Sequence, residues 1–307
     1  MPQARYISLN GTLVPFADAK VHILAPGMKY GAGVFEGIRG YWNARREEVF
    51  IFRLSEHLHR LQFSMKVMRL AHDLTDERVA AAVLEVVRAN EFREDIHIRP
   101  MAWVDGTGDM LASGPVGWAV AAVARPQAKS VTEGLHCAVS SWRRINDSAM
   151  PPRVKANGNY INSRLAGQQA VLDGYDSVLL LTQQGHIAES HGACFFMIRN
   201  GRPVTPNVTS SILESITRAT LIDLLAELTG QQAEERDIDR TEVYDAEEAF
   251  LCGSGHEIEP ILSVDRHKVG SGQVGELTRR LQKRYFDLVR GETNEHADWL
   301  TPVYSRR

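Results

Sequence analysis

The chain has 307 residues, 44% of them hydrophobic and 24% charged, and its acidic and basic side chains nearly cancel to a formal net charge of −3. This composition excludes a disordered tail, a collagen-like fibre and a small disulfide scaffold, and it offers no single-signed field to attract nucleic acid or a membrane surface. At about 100–200 residues per domain, the length predicts two domains.

In chain order, Tyr6–Leu9 and Thr12–Pro15 flank Asn10-Gly11, a strong signal for a tight hairpin. Strands are expected over Val34–Tyr41 and Val49–Phe52, around the charged turn at Asn43–Arg46. A helix from Ser55 carries Leu58, Leu61, Met65 and Met68 at three- and four-residue spacing, and a second is expected over Asp76–Val87. Ile96–Val104 and Val116–Ala124 read as further strands, which completes an antiparallel unit over 1–124. The polar stretch 125–133, with Pro126, predicts a linker. A larger domain over 134–307 then opens with a strand at Leu135–Ser140 and continues with a helix through Gly167–Leu172. Strands follow at Val178–Leu181, around Ile187 and at Phe195–Ile198. Ile216–Leu228 is a helix stopped by Gly230. Ala249–Leu251 and Ile261–Val264 are strands, and Glu276–Val289 is the last helix. This mixed order predicts an α+β protein and not a regular βαβ series.

Only seven of the 35 basic residues are lysine, so a lysine nucleophile has few candidates. Cys137, Cys194 and Cys252 lie in apolar stretches with neither zinc-ligand spacing nor a disulfide pattern, which predicts buried, reduced thiols and a cytoplasmic location. No export leader is expected from the first residues. The apolar run Val116–Ala124 is too short to span a bilayer, so no membrane partner is expected. The early glycines Gly27, Gly31, Gly33, Gly37 and Gly40 match neither dinucleotide nor P-loop spacing. Gly253-Ser254-Gly255, directly after an apolar strand, is either an anion-binding turn or a plain strand-ending turn. The histidines lack metal-ligand spacing, and no metal is predicted.

Several segments taken together resemble the branched-chain amino acid aminotransferase family of fold-type IV pyridoxal-phosphate enzymes. They are Tyr30-Gly31, Val34–Arg39, Phe52-Arg53, Glu56–Leu61, Ile98–Pro100, Ser140–Trp142, Lys155–Tyr160, Ile187–Glu189, Ile216–Arg218 and the turn at Gly253. The resemblance covers nearly the whole chain. It implies a small α/β domain plus a larger mixed-sheet, barrel-like domain that carries the cofactor lysine. By resemblance Lys155 is that lysine, bound to pyridoxal 5'-phosphate as an internal aldimine and later a proton shuttle. Glu189 matches the carboxylate at the pyridine nitrogen, Tyr160 the tyrosine near the phenolic oxygen, and Arg60 the phosphate arginine. Leu213, Ile216, Thr217 and Ser254 match further cofactor positions. Tyr30, Phe35, Gly37 and Arg99 match one wall of the substrate pocket, and Gly192, Gly255 and His256 the other. The loop Asp105–Ala112 matches one that reaches a neighbouring subunit, which implies a homodimer or larger homo-oligomer.

The chain departs from the family at Glu214-Ser215, Cys194-Phe195-Phe196, His97 and His256. The expected activity is transamination from an amino acid, with L-glutamate as donor, to a 2-oxo acid by a ping-pong route. The alternatives are D-amino acid transamination or aminodeoxychorismate-lyase-like chemistry on the same cofactor, and a specialised or non-enzymatic member with an altered substrate site.

Overall fold

Asn10 and Gly11 take left-handed backbone conformations, φ 53° and 82°, and so turn the first strand back on itself. The computed structural model describes residues 4–305. In chain order its elements begin with β1 (Tyr6–Leu9), β2 (Thr12–Pro15), α1 (Pro26–Tyr30), β3 (Gly33–Phe35), β4 (Ile38–Asn43) and β5 (Glu48–Phe52). Then come α2 (Leu54–Val67), α3 (Asp76–Asn90), β6 (Ile96–Val104), β7 (Val116–Ala124), α4 (Ser130–Glu133) and β8 (Leu135–Arg143). They continue with α5 (Asn159–Leu172), β9 (Ser177–Leu181), β10 (Ile187–Ser190), β11 (Cys194–Arg199), β12 (Arg202–Thr205) and α6 (Ile216–Thr229). The last are β13 (Glu234–Glu235), β14 (Glu248–Gly253), β15 (Glu257–Val264), β16 (His267–Lys268), α7 (Glu276–Val289) and β17 (Leu300–Pro302).

The chain divides into two units. The first contains the described residues up to Gln127, Val154–Gly158 and those from Asp287 on; the second contains Ala128–Arg153 and Asn159–Phe286.

In the first unit an eight-stranded sheet runs β17-β5-β4-β6-β7-β1-β2, with β3 also paired to β6. Leu58, Leu61 and Met65 of α2 and Val79, Val83 and Val86 of α3 share one core with Val49, Ile51, Ile96 and Ile98 of the sheet. Burying each such side chain contributes about 1.5–3 kcal/mol. Thr75 caps α3, its side chain accepting from the Arg78 N–H. The Glu48 carboxylate accepts the backbone N–H groups of Val303, Tyr304 and Ser305, each at 2.8 Å, and so pins the chain's last described turn.

The single strand expected over Val34–Tyr41 is interrupted at Glu36-Gly37. Its two parts keep one register against β6, Phe35 opposite Met101 and Ile38 opposite Ile98, so the interruption costs no slip. At the break, a Cβ on Gly37 would lie 2.8 Å from His97 Nε2. The short helix α1 has no counterpart in the sequence reading, because five residues are too few to show a period.

The linker expected over 125–133 contains the helical turn α4, and the unit boundary falls after Gln127. Lys155 departs from the simple division of the chain. Its segment groups with the first unit because Val154 and Ala156, alternating about it, are buried in the first core.

In the second unit β10-β9-β8-β15-β14-β11 pair in sequence and β11 pairs back to β10, closing a six-stranded ring. Alternation gives the ring two apolar faces. Leu179, Leu181, Phe195, Met197 and Leu251 belong to one core, while Val178 and Leu180 pack with Ala166 and Ala170 of α5. Ser215 caps α6 at its start, and Gly230 ends it in the left-handed region at φ 70°. The thiols of Cys137, Cys194 and Cys252 are buried and none is in a disulfide. Among the described residues, no helix is long and apolar enough to cross a membrane, and no cluster has the makings of a metal site.

Candidate active site

In the first unit, Lys155 is strung on the main chain. Its carbonyl accepts the Phe35 N–H at 3.1 Å, its own N–H donates to Ser64 Oγ at 3.2 Å, and Val34 bridges to Ala156. Two residues on, the Asn157 N–H donates to Gly33 O at 3.0 Å. Lys155 Nζ lies 5.0 Å from the Phe35 ring centroid, and the Arg99 guanidinium stands at the same distance from that ring. The sheet therefore brings Lys155, Phe35 and Arg99 together, as the motifs suggested. Gly37 is beside them, under the His97 ring. Tyr30, at the end of α1, is half exposed and carries Lys29 Nζ 5.0 Å above its ring.

Arg60 lies on α2 and forks onto the buried Glu36, with Nε to Oε1 at 2.7 Å and Nη2 to Oε2 at 2.8 Å. His57, one turn earlier, reaches the same carboxylate with Nδ1 at 2.8 Å. Burial works to raise the Glu36 carboxyl, but Arg60 and His57 overcome it and hold it far below the ordinary carboxylate range. Burial lowers His57 although Glu36 works to raise it, and because an ionised carboxylate only accepts, Nδ1–H is the donor to Glu36. His97 is pushed down to about 3 by burial and by the charges of Arg99, Arg125, Arg39 and Lys155.

In the second unit, Glu189 is buried on β10. Its Oε1 accepts from Arg144 Nε at 2.8 Å and Nη2 at 2.7 Å. Its Oε2 accepts the Leu213 N–H at 3.2 Å and faces Cys194 Sγ at 3.8 Å. Leu213 thus lies on the carboxylate through its backbone. Tyr160 opens α5. Thr217 is buried in the first turn of α6, where unpaired N–H groups and the helix dipole favour an anion. Arg218, next in the chain, anchors that turn: it donates to Pro206 O at 2.8 Å, Glu235 at 2.6 Å and Thr205 Oγ1 at 3.2 Å. Glu214 is half exposed and paired with Arg153 at 3.1 Å, so a counter-ion offsets its charge beside α6.

Ser254 and Gly255 form the turn that joins β14 to β15. His256 follows, its Nδ1 held 2.6 Å from Glu259 Oε2, while Glu259 Oε1 accepts from Ser130 Oγ. A Cβ on Gly192 would lie 3.0 Å from His256 Nε2, so these two expected substrate residues are neighbours. His191 packs edge-on to His256 and is pushed down to about 4 by burial and by that neighbour.

This donor set suits pyridoxal phosphate. Taken unit by unit, the first offers an amine for an aldehyde and an arginine for a phosphate, and the second a buried carboxylate for a pyridinium and a helix start for a phosphate. The amino-transferase class IV family model matches residues 33–264. The chain belongs to the class IV aminotransferases. A probable branched-chain-amino-acid aminotransferase of Aquifex aeolicus is 38% identical to it over 97% of this chain and 96% of its own. A branched-chain amino acid aminotransferase from Thermobaculum terrenum, solved in its PLP form, is 41% identical, has a TM-score of 0.92 and is matched over 99% of this chain and 100% of its own. The branched-chain aminotransferase of the archaeon Thermoproteus uzoniensis, solved with norvaline, is 40% identical, has a TM-score of 0.92 and is matched over 98% of this chain and 100% of its own. The α+β, fold-type IV architecture of these aminotransferases is the one this chain adopts.

The sequence reading missed three parts of this class IV site. Glu36 was read only as part of a motif, although its place before Gly37 is where the strand breaks. Arg144 follows Arg143 at the end of β8 and carries no periodic signal. The Glu259–Ser130 contact joins residues 129 apart, which no local pattern marks.

Proposed function

We propose that this chain is a pyridoxal-phosphate-dependent transaminase that moves an amino group from L-glutamate to a branched-chain 2-oxo acid by a ping-pong route. The observation that carries the reading is Glu189, a buried carboxylate that Arg144 meets through Nε at 2.8 Å and Nη2 at 2.7 Å. An anion sheltered from water is what a protonated pyridine nitrogen needs as a partner. Bound pyridoxal phosphate supplies an aldehyde for covalent attachment and a ring that draws electrons from the substrate's Cα.

The chain's own residues do the rest. Lys155 holds the cofactor covalently and, once released, carries the proton to and from Cα. Glu189 holds the ring proton, and Tyr160 donates towards the phenolic oxygen. Arg60, the start of α6 at Ile216-Thr217, Ser254 and Leu213 hold the cofactor in place. Tyr30, Phe35, Gly37, Arg99, Gly192, Gly255 and His256 orient the substrate. We assign the protein to a cytoplasmic homodimer. Supporting this, Val21, Ile23, Leu24, Met28, Met110 and Leu111 expose a large apolar surface on two stretches tied by the Lys29 Nζ to Gly108 O bond.

Protein loaded with pyridoxal phosphate is expected to show a bound-cofactor absorption band that L-glutamate discharges and a branched-chain 2-oxo acid restores. In Lys155→Ala the band is expected to vanish. An unchanged spectrum in that variant would overturn the lysine assignment, and a response to D-amino acids alone would overturn the donor.

A further inference from the structure

Glu36 draws two side-chain donors from α2 and the neighbouring main chain onto one wholly buried side chain. Arg60 takes both oxygens in a fork, His57 adds a third bond, and the Gly37 N–H lies 3.3 Å from Oε2. His57 and Arg60 sit three apart on α2, so they face the same way. The main chain fixes the carboxylate in turn. The Glu36 N–H donates to Pro100 O at 2.8 Å, and the Phe35 N–H before it donates to the Lys155 carbonyl.

Stability does not explain this arrangement. Taking a carboxylate and a guanidinium fully out of water costs so much that a packed apolar pair often does as well. Charge does not explain it either, because a carboxylate against a phosphate-binding arginine cancels part of the pull on the phosphate. What the contact supplies is geometry. A guanidinium has five N–H donors in a rigid plane, and the fork to Glu36 engages the Nε–Nη2 edge. With Nε and Nη2 both bonded to one fixed carboxylate, the plane of the guanidinium is set in one orientation, and a planar guanidinium binds phosphate only in suitable orientations.

We propose that Glu36 is a positioning residue for pyridoxal phosphate, holding Arg60 in the one orientation that grips the phosphate, with His57 steadying the carboxylate. This rests on the pyridoxal-phosphate reading above, in which Arg60 is a phosphate ligand. Freezing one long side chain in advance is worth roughly tenfold in affinity.

The test titrates cofactor-free protein with pyridoxal 5'-phosphate and, separately, with pyridoxal, which keeps the aldehyde and lacks the phosphate; binding is followed by absorbance. Glu36→Gln is expected to weaken pyridoxal phosphate about tenfold, leave pyridoxal unchanged, and add nothing in an Arg60→Met background. Should Glu36→Gln fail to fold, His57→Gln removes one anchor and is expected to act in the same direction, more weakly. Unchanged or tighter pyridoxal phosphate binding in Glu36→Gln would overturn the proposal, since Glu36 would then merely neutralise Arg60. Equal losses for both ligands would overturn it as well, by showing general damage to the site. If the unaltered protein takes up neither ligand, the cofactor reading itself fails.

Discussion

Glu36 in the first unit and Glu189 in the second are both buried carboxylates met by an arginine, yet their surroundings differ. Each Glu36 oxygen accepts a short bond from Arg60, and Oε2 takes His57 as well. At Glu189 the arginine meets Oε1 through Nε and Nη2, while Oε2 accepts the Leu213 N–H at 3.2 Å and faces Cys194 Sγ at 3.8 Å. An ionised carboxylate has about four acceptor sites. A carboxylate held firmly by both oxygens can orient another group but has little left to offer a ligand. At Glu189 the arginine bonds Oε1 through two nitrogens, and the role proposed for this carboxylate is toward the pyridine nitrogen.

The sharpest way to break this contrast is Arg144→Met. It strands a buried negative charge on Glu189 and is expected to lower the free energy of unfolding by about 3–5 kcal/mol, measured by denaturant titration. A loss below about 1 kcal/mol would mean that Arg144 does not hold the carboxylate charged. Glu189→Gln keeps the shape and loses the anion. It is expected to cut kcat roughly a hundredfold with a smaller effect on stability, and an unaltered kcat would remove Glu189 from the reaction.

The third effect is confined to acid pH and concerns His97, which lies against Gly37, beside Glu36. Its folded pKa of about 3 is below the ordinary value of 6.5, chiefly through burial. Between those values the unfolded chain binds a proton that the folded chain refuses. His97 therefore erodes stability as pH falls from 6.5 towards 3, by roughly 1.4 kcal/mol per pH unit. The carboxyls of Glu36 and Glu259, depressed despite burial because their cationic and hydrogen-bonding partners outweigh it, add to that loss only at lower pH, once the unfolded carboxyls begin to protonate. His97→Phe is expected to flatten the slope over the histidine range; the same slope in the variant would mean that His97 is not held neutral.

Much of the molecule was legible without coordinates because the forces involved are local. The Asn10-Gly11 hairpin follows from the left-handed backbone that those two residues tolerate. The helices over α2 and α6 follow from apolar spacing, with Gly230 as the stop of α6, while the Ser215 cap at its start is seen only in the structure. The pattern around Lys155 singled out one lysine among seven, and Val154 and Ala156 already alternate about it. Which core that alternation serves was not legible. Both units offer apolar surface, and the burial of Val154 and Ala156 in the first core and the bridge from Ala156 to Val34 assign the segment to the first.

The sequence by itself determined the elements, the family and the residue types that a pyridoxal-phosphate enzyme requires. Only the tertiary structure decided which polar groups meet: the ion pairs of Arg60 with Glu36 across 24 residues and Arg144 with Glu189 across 45, and the hydrogen bond of Ser130 with Glu259 across 129. A helix or hairpin is specified by neighbours in the chain, so its pattern can be read along it. A buried ion pair is specified by desolvation and by distances of a few ångströms in space, which no spacing along the chain encodes.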